Sequence, residues 1–294
     1  MTSTPIVALL GTGIMGAGMA HNILEAGLEL RVWNRTRAKI APLGEQGAVL
    51  ADSPAEAVAD ADVIITMLRD ASSVAEVITE AAPGLRAGQV WAQTTTVGVT
   101  GAAELAALAS KYGLTIVDAP VLGTKAPAEQ GQLLMFASGD RAAEETLRPV
   151  FDAVGRKTVW FGDSADDAAS GAASRLKLVV NSWVLAITGA TGEALGLAKA
   201  LDVDPKDFLE AVAGGPLDLP YLQLKAKAIL ENDFDASFTV NNAGKDADLI
   251  VEAGRDKKAR MDIASAVAAR MHRADAQGHG DKDMAANYFA SFDD

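Results

Sequence analysis

Ile6-Val7-Ala8-Leu9-Leu10-Gly11-Thr12-Gly13-Ile14-Met15-Gly16 is the stretch that decides the fold. An apolar run leads straight into a glycine-rich turn, and a helical pattern follows through Met19, Ile23 and Leu24 to Gly27. Each glycine has a physical task. Gly11 permits the tight turn, Gly13 lets the backbone approach a pyrophosphate, and Gly16 lets helix and strand pack closely. The helix N-terminus offers unpaired N–H groups and the positive end of its dipole to phosphates. Glycines also mark ordinary turns. Here the motif follows a strand, opens a helix and precedes a second strand, Leu30-Arg31-Val32-Trp33, which is the context of a dinucleotide site. Gly11, Gly13, Ile14, Met15 and Gly16 are the expected cofactor cradle.

The second strand ends Trp33-Asn34-Arg35-Thr36-Arg37, without the carboxylate that usually holds the ribose 2′-hydroxyl of NAD. Asn34 and Thr36 can donate hydrogen bonds and Arg35 can pair with a 2′-phosphate. A basic cluster of Arg35, Arg37 and Lys39 in an acidic protein points to a phosphate site rather than a solvated turn. The expected cofactor is NADP(H).

Composition narrows the class. The chain has 294 residues, enough for one large or two ordinary domains. A net charge of −13 argues against nucleic acid and anionic membrane surfaces as partners. The lack of cysteine excludes disulfides, thiolate metal sites and cysteine nucleophiles, and fits a reducing compartment. His21, His272 and His279 are scattered, so no metal site is expected. No apolar run approaches the ~20 residues of a membrane span and no signal peptide is seen, so the expectation is a cytoplasmic protein.

Strand and helix patterns alternate after the first unit. Ala48-Val49-Leu50 reads as a short strand, and Ser53-Pro54-Ala55-Glu56 as a helix start with Pro at its first position. Ala61–Leu68 is a nearly all-apolar strand of the kind buried between helices. Further strands are expected at Val90–Gln93, Leu114–Val117, Leu133–Ala137 and Thr158–Phe161, with a helix over Glu144–Val154. This is the pattern of an α/β Rossmann domain with a doubly wound, mainly parallel sheet. Its tips at Gly11, Leu68, Thr96 and Asp118 fall at the carboxyl ends of strands, where ligands bind. After the polar break Gly162–Asp167 only helical patterns remain, beginning with a long apolar one from Leu176 toward Leu197. The expected division is a cofactor domain over 1–163 and an all-α substrate and oligomerisation domain over 164–294, joined by that long helix. Its apolarity on more than one face predicts a homo-oligomer, dimer or tetramer.

Lys177 and Asn181 lie four residues apart on the long helix and so share a face. The Lys177 stem could snorkel to a surface, or its ammonium could face the cleft as a proton donor. In Asp118-Ala119-Pro120-Val121-Leu122-Gly123-Thr124-Lys125, the Gly123 N–H could receive a substrate oxygen, or the loop could simply join strand to helix. Thr94-Thr95-Thr96 is equally ambiguous between ligand hydroxyls and strand residues.

The stretch Gly11–Asn22 with Gly27, then Asp118-Ala-Pro-Val, Arg175-Leu-Lys177-Leu-Val-Val-Asn181 and Lys245-Asp246, resembles the β-hydroxyacid dehydrogenase family. The motifs fall in family order and cover essentially the whole chain. The resemblance implies reduction of a small aldehyde or keto acid by NADPH, or the reverse, with Lys177 as general acid/base and Asn181 beside it. It implies that Thr96, Leu122, Gly123 and Thr124 line the substrate, that Phe238 and Asp246 close on it, and that Lys245 and Leu68 approach the cofactor. Lys125-Ala-Pro-Ala-Glu-Gln-Gly131 and the Asn34-Arg35-Thr36 tip resemble the glyoxylate/succinic semialdehyde reductase branch.

Two departures stand out. Leu122-Gly123-Thr124 replaces the usual Ser-Gly-Gly, removing a hydroxyl that helps hold a substrate carboxylate. Ala173 and Ser174 follow Gly171 in the usually glycine-rich approach to the lysine. Two rival readings are an imine reductase on the same architecture, in which Asp or Tyr usually replaces the lysine, and a non-catalytic NADPH-binding sensor or scaffold. Lys177 argues for carbonyl rather than imine chemistry, and retention of both Lys177 and Asn181 argues against the sensor or scaffold.

Overall fold

The computed structural model describes residues 4–293. The chain divides into two compact units, Met1–Lys177 and Leu178–Asp294, with the division inside one long helix. The first unit runs β1 (Val7–Leu10), α1 (Ile14–Glu25), β2 (Leu30–Trp33), α2 (Ala41–Glu45), β3 (Val49–Leu50), α3 (Pro54–Val58), β4 (Val63–Thr66) and α4 (Ala71–Ala81). It continues with β5 (Val90–Gln93), α5 (Gly98–Tyr112), β6 (Thr115–Asp118), β7 (Val121–Leu122), α6 (Lys125–Glu129), β8 (Leu133–Gly139), α7 (Glu144–Val154), β9 (Gly155–Trp160) and α8 (Ala165–Ala169).

The strands form one sheet in the order β3-β2-β1-β4-β5-β6-β8-β7, with β9 paired to β8. Pairing is parallel from β3 through β6, whereas β8 runs antiparallel to β6 and β7. Both faces are covered by helices, which explains the unbroken apolar strands. Val7, Leu9, Val63, Ile65 and Ala92 face one core; Ala8, Leu10, Ile64 and Trp91 face the other. The helix start read at Ser53 is built as expected. Ser53 Oγ accepts from Glu56 N–H, and the Glu56 carboxylate accepts from Asp52 N–H.

The long helix is α9 (Ala172–Ala200). By length and composition, residues 165–200 could cross a membrane, a property shared with core helices of soluble proteins.

The second unit carries α10 (Pro205–Val212), α11 (Pro220–Leu230), α12 (Val240–Asp256), α13 (Asp262–Ala274) and a 3₁₀ segment, Met284–Ser291. Leu195, Ala226, Ile229 and Ala285 form one cluster of its core, with Phe208, Leu209, Phe234 and Tyr288 packed around them. Buried polar groups do much of the joining. Arg270 binds the Asn287 side chain and carbonyl, Ser291 Oγ and Glu193. Lys225 and Asp283, both almost wholly buried, pair at 2.7 Å.

Candidate active site

The parallel register brings the ends of five strands level. Leu10 lies beside Trp33 and Thr66, Thr66 beside Gln93, and Gln93 beside Asp118. The glycine turn opens on this edge. Gly11 has φ +105, which favours glycine, and a Cβ there would also meet the Met67 carbonyl and Leu68. A Cβ on Gly16 would overlap the Gly11 carbonyl. At Gly13 a Cβ would meet nothing within 4 Å, so glycine here leaves room for something outside the protein. Gly13 caps α1 without a side-chain hydrogen bond, leaving the first N–H groups directed outward. Thr12 Oγ1 is buried and lacks a hydrogen-bond partner among the described residues. An open cradle, outward N–H groups and an unpartnered hydroxyl fit a dinucleotide pyrophosphate.

Beside the turn is a cavity of about 300 Å³, lined by Trp33, Asn34, Arg35, Thr36, Lys39 and Leu68, with Ser73, Glu76, Val77 and Glu80 on the α4 wall. Asn34 is committed to shaping it. Its Oδ1 accepts from Thr12 N–H at 3.1 Å and its Nδ2 donates to the Thr36 carbonyl, so it ties the β2 tip to the glycine turn. Arg37 is paired with Asp52. Arg35 and Lys39 form no ion pair among the described residues, and these two line the cavity. Ile14 is exposed at the mouth of the turn, while Met15 packs on the core.

The threonine tip divides its labour. Thr94 Oγ1 donates to the Thr66 carbonyl, and Thr95 Oγ1 accepts from Leu68 N–H at 2.9 Å. These two fasten neighbouring strand tips, leaving half-buried Thr96 as the outer member. The segment read as a loop after Asp118 is more structured than expected. Leu122 sits in β7 opposite Leu134, and α6 follows Thr124. Gly123 has φ +139, and a Cβ would press on Leu133 and Pro127. Asn22 holds α6 to α1 by donating to the Ala128 and Gly18 carbonyls. An asparagine on the buried face of a helix was the available signal for that contact.

Lys177 is buried on α9, one turn before Asn181. Asp118 is also buried and accepts from Ser174 N–H and Ser174 Oγ, each at 2.8 Å. Burial pushes its carboxyl up to about 6, against the opposing effect of the Ser174 and Ser138 hydrogen bonds. In the second unit, Asn181 Nδ2 donates to Asp246 Oδ2 at 2.6 Å, and Lys245 Nζ lies 2.8 Å from Asp246 Oδ1. Phe238 is half-buried; its N–H and that of Ser237 point to Asp283 Oδ2. Burial alone would raise Asp283, but Lys225, the Ser237 hydroxyl and the Ala285 N–H hold it below the ordinary carboxylate range. Sequence reasoning missed Lys225 and Asp283, which lie far apart in the chain and belong to no motif.

Residues 6–162 match the family model described as the NAD binding domain of 6-phosphogluconate dehydrogenase. Residues 171–289 match that described as NAD-binding of NADP-dependent 3-hydroxyisobutyrate dehydrogenase. Glyoxylate/succinic semialdehyde reductase 2, chloroplastic, of Arabidopsis thaliana is 30% identical over 96% of this chain and 78% of its own length. The 3-hydroxyisobutyrate dehydrogenase of Salmonella typhimurium superposes with a TM-score of 0.87 at 25% identity, covering 96% of this chain and 98% of that one. That of Mycobacterium tuberculosis, solved with L-serine, gives 0.84 at 26% identity, covering 98% and 99%. A dinucleotide cradle on a parallel sheet, followed by a helical unit with this lysine motif, marks an NAD(P)-dependent oxidoreductase, and the chain belongs to the β-hydroxyacid dehydrogenase family.

Proposed function

We propose that this protein is an NADPH-dependent reductase of a small aldehyde or keto acid, able to oxidise the matching hydroxy acid, with Lys177 as general acid/base. The observation that carries the reading is Lys177 itself: an ammonium 7% exposed on an apolar helix, one turn from a buried asparagine. Bound NADPH would supply the hydride to the carbonyl carbon. Lys177 Nζ donates a proton to the carbonyl oxygen as it becomes an alkoxide, and takes that proton back in the oxidation direction. One Asn181 amide N–H donates to Asp246, and its Oδ1 can accept from an ammonium or a substrate hydroxyl.

Thr96, Gly123 and Thr124 hold the substrate carboxylate in this reading, and Leu122 gives that wall an apolar member. Phe238 and Asp246 are assigned to the substrate and Lys245 to the cofactor. Arg35 and Lys39, at a strand tip without a carboxylate, support NADPH over NADH. Residues 1–163 serve the cofactor; 164–294 serve the substrate and a cytoplasmic homo-oligomer. Val179, Trp183 and Leu197 are large apolar side chains exposed along α9, which supports self-association.

The test is NADPH oxidation, with NADH in parallel, against glyoxylate, succinic semialdehyde, an uncharged aldehyde and a cyclic imine. Turnover of the two carboxylate aldehydes with NADPH is expected. Turnover confined to the imine would move the protein to imine reduction, and turnover confined to the uncharged aldehyde would remove carboxylate recognition from the reading.

A further inference from the structure

Two buried residues with no assigned role, Asp118 and Ser174, stand where the substrate loop and the lysine helix meet the sheet. Asp118 closes β6, and Ala119, which opens the segment to Gly123, follows it directly. Ser174 lies in the first turn of α9, three residues before Lys177 and seven before Asn181, so all three share one side of the helix. Asp118 Oδ2 accepts from Ser174 N–H and Oδ1 from Ser174 Oγ, both at 2.8 Å. Ser138 Oγ, on β8, accepts from Ala173 N–H at 3.1 Å. Asp118, Ser138 and Ser174 are 2%, 0% and 1% exposed, so water does not compete for these bonds.

Two contacts from one carboxylate to one residue fix rotation of the helix as well as its position, which a single N–H bond would not do. The carboxylate also meets the positive end of the α9 dipole. On its other side Ala119 is fully buried, and β7 pairs Val121 with Met135, so the chain after Asp118 has little freedom.

We propose that the Asp118–Ser174 pair is a latch that sets Lys177 against the substrate loop, making both of them positioning residues for proton transfer. The proposal rests on the reading of Lys177 as the proton donor. It also gives a role to the Ser174 hydroxyl, which supplies the second bond.

The experiment compares Ser174→Ala, Ser174→Thr, Asp118→Asn and Lys177→Ala in NADPH-dependent reduction of glyoxylate and succinic semialdehyde. Each variant is also titrated by NMR with ¹³C-methylated lysines, a readout that needs no turnover. Ser174→Ala is expected to lower kcat about tenfold, with KM and NADPH affinity within about twofold, since a misplaced catalytic group costs chemistry rather than binding. Ser174→Thr, which keeps the hydroxyl, is expected to recover most of the rate, and Asp118→Asn to lose more. The Lys177 resonance should change its titration midpoint in Ser174→Ala while other lysines do not.

Wild-type kcat and an unmoved Lys177 titration in Ser174→Ala, beside an inactive Lys177→Ala, would overturn the latch alone. A wild-type rate in Lys177→Ala would remove the reading beneath it as well. A loss in Ser174→Ala that Ser174→Thr fails to rescue also overturns the proposal. If Ser174→Ala does not fold, Asp118→Asn carries the same comparison, and wild-type kinetics in it would overturn the latch.

Discussion

Asp118 shows how one buried side chain contributes to the pH response of the first unit. Its carboxyl is raised from 3.8 to about 6 because burial penalises the charged form more than Ser174 and Ser138 stabilise it; Arg175 also acts on it, favouring the charge. The folded chain therefore holds this proton more tightly than the unfolded chain. The contribution of Asp118 is most favourable below its unfolded value and is lost as pH rises through about 6. Relative to Asp118→Asn, the wild type is expected to lose about 2 kcal/mol between about pH 4 and about pH 7. Urea unfolding of both proteins at the two pH values measures it, and a constant difference would contradict the assignment. The glycines of the first turn make a second contrast. A Cβ at Gly13 meets open space, whereas one at Gly16 overlaps the Gly11 carbonyl. Gly13→Ala should melt like the wild type but bind NADPH at least about tenfold more weakly, whereas Gly16→Ala should lose about 2 kcal/mol or more of stability. Thermal melting and fluorescence titration separate the two.

Among elements, the β2 tip and α9 carry the arguments about cofactor and chemistry. Arg35 lines the cavity beside the glycine turn, and charge-assisted bonds to a phosphate contribute about 1.5–3 kcal/mol. Arg35→Ala should therefore reduce the NADPH-to-NADH ratio of kcat/KM by about 10- to 100-fold, chiefly through the NADPH arm. Equal losses with both cofactors would show that Arg35 does not read the 2′-phosphate. Elements with strong periodicity were legible in the sequence: the buried strands β1, β4 and β5, helix α7, and α9 with its apolar repeat. β7 was not. Two residues carry no readable period, and the strand exists because β8 offers an antiparallel edge. The lysine motif was legible on α9. Its anchoring was invisible, because Asp118, Ser138 and Ser174 are brought together only by the sheet order.

At the scale of the whole molecule, motif reading recovered both parts of the chain, one α/β and one helical. It did not show where contacts thin out, which is after Lys177 within a continuous helix. The buried Lys225–Asp283 pair and the Arg270 cluster were equally out of reach, since long-range polar pairing leaves no local pattern. Trp183 is 64% exposed on α9. Trp183→Glu is expected to shift the protein toward a smaller species in light scattering, and an unchanged mass would mean that this face does not join copies.

The central claim is that Lys177 moves the proton, and the most direct measurement pairs turnover with binding in Lys177→Ala. Reduction of the best carbonyl substrate should fall about 10²- to 10⁴-fold, with the NADPH dissociation constant within about twofold of wild type. Retained turnover would contradict the account. Loss of turnover and of NADPH binding together would make Lys177 a residue of the fold rather than of the chemistry.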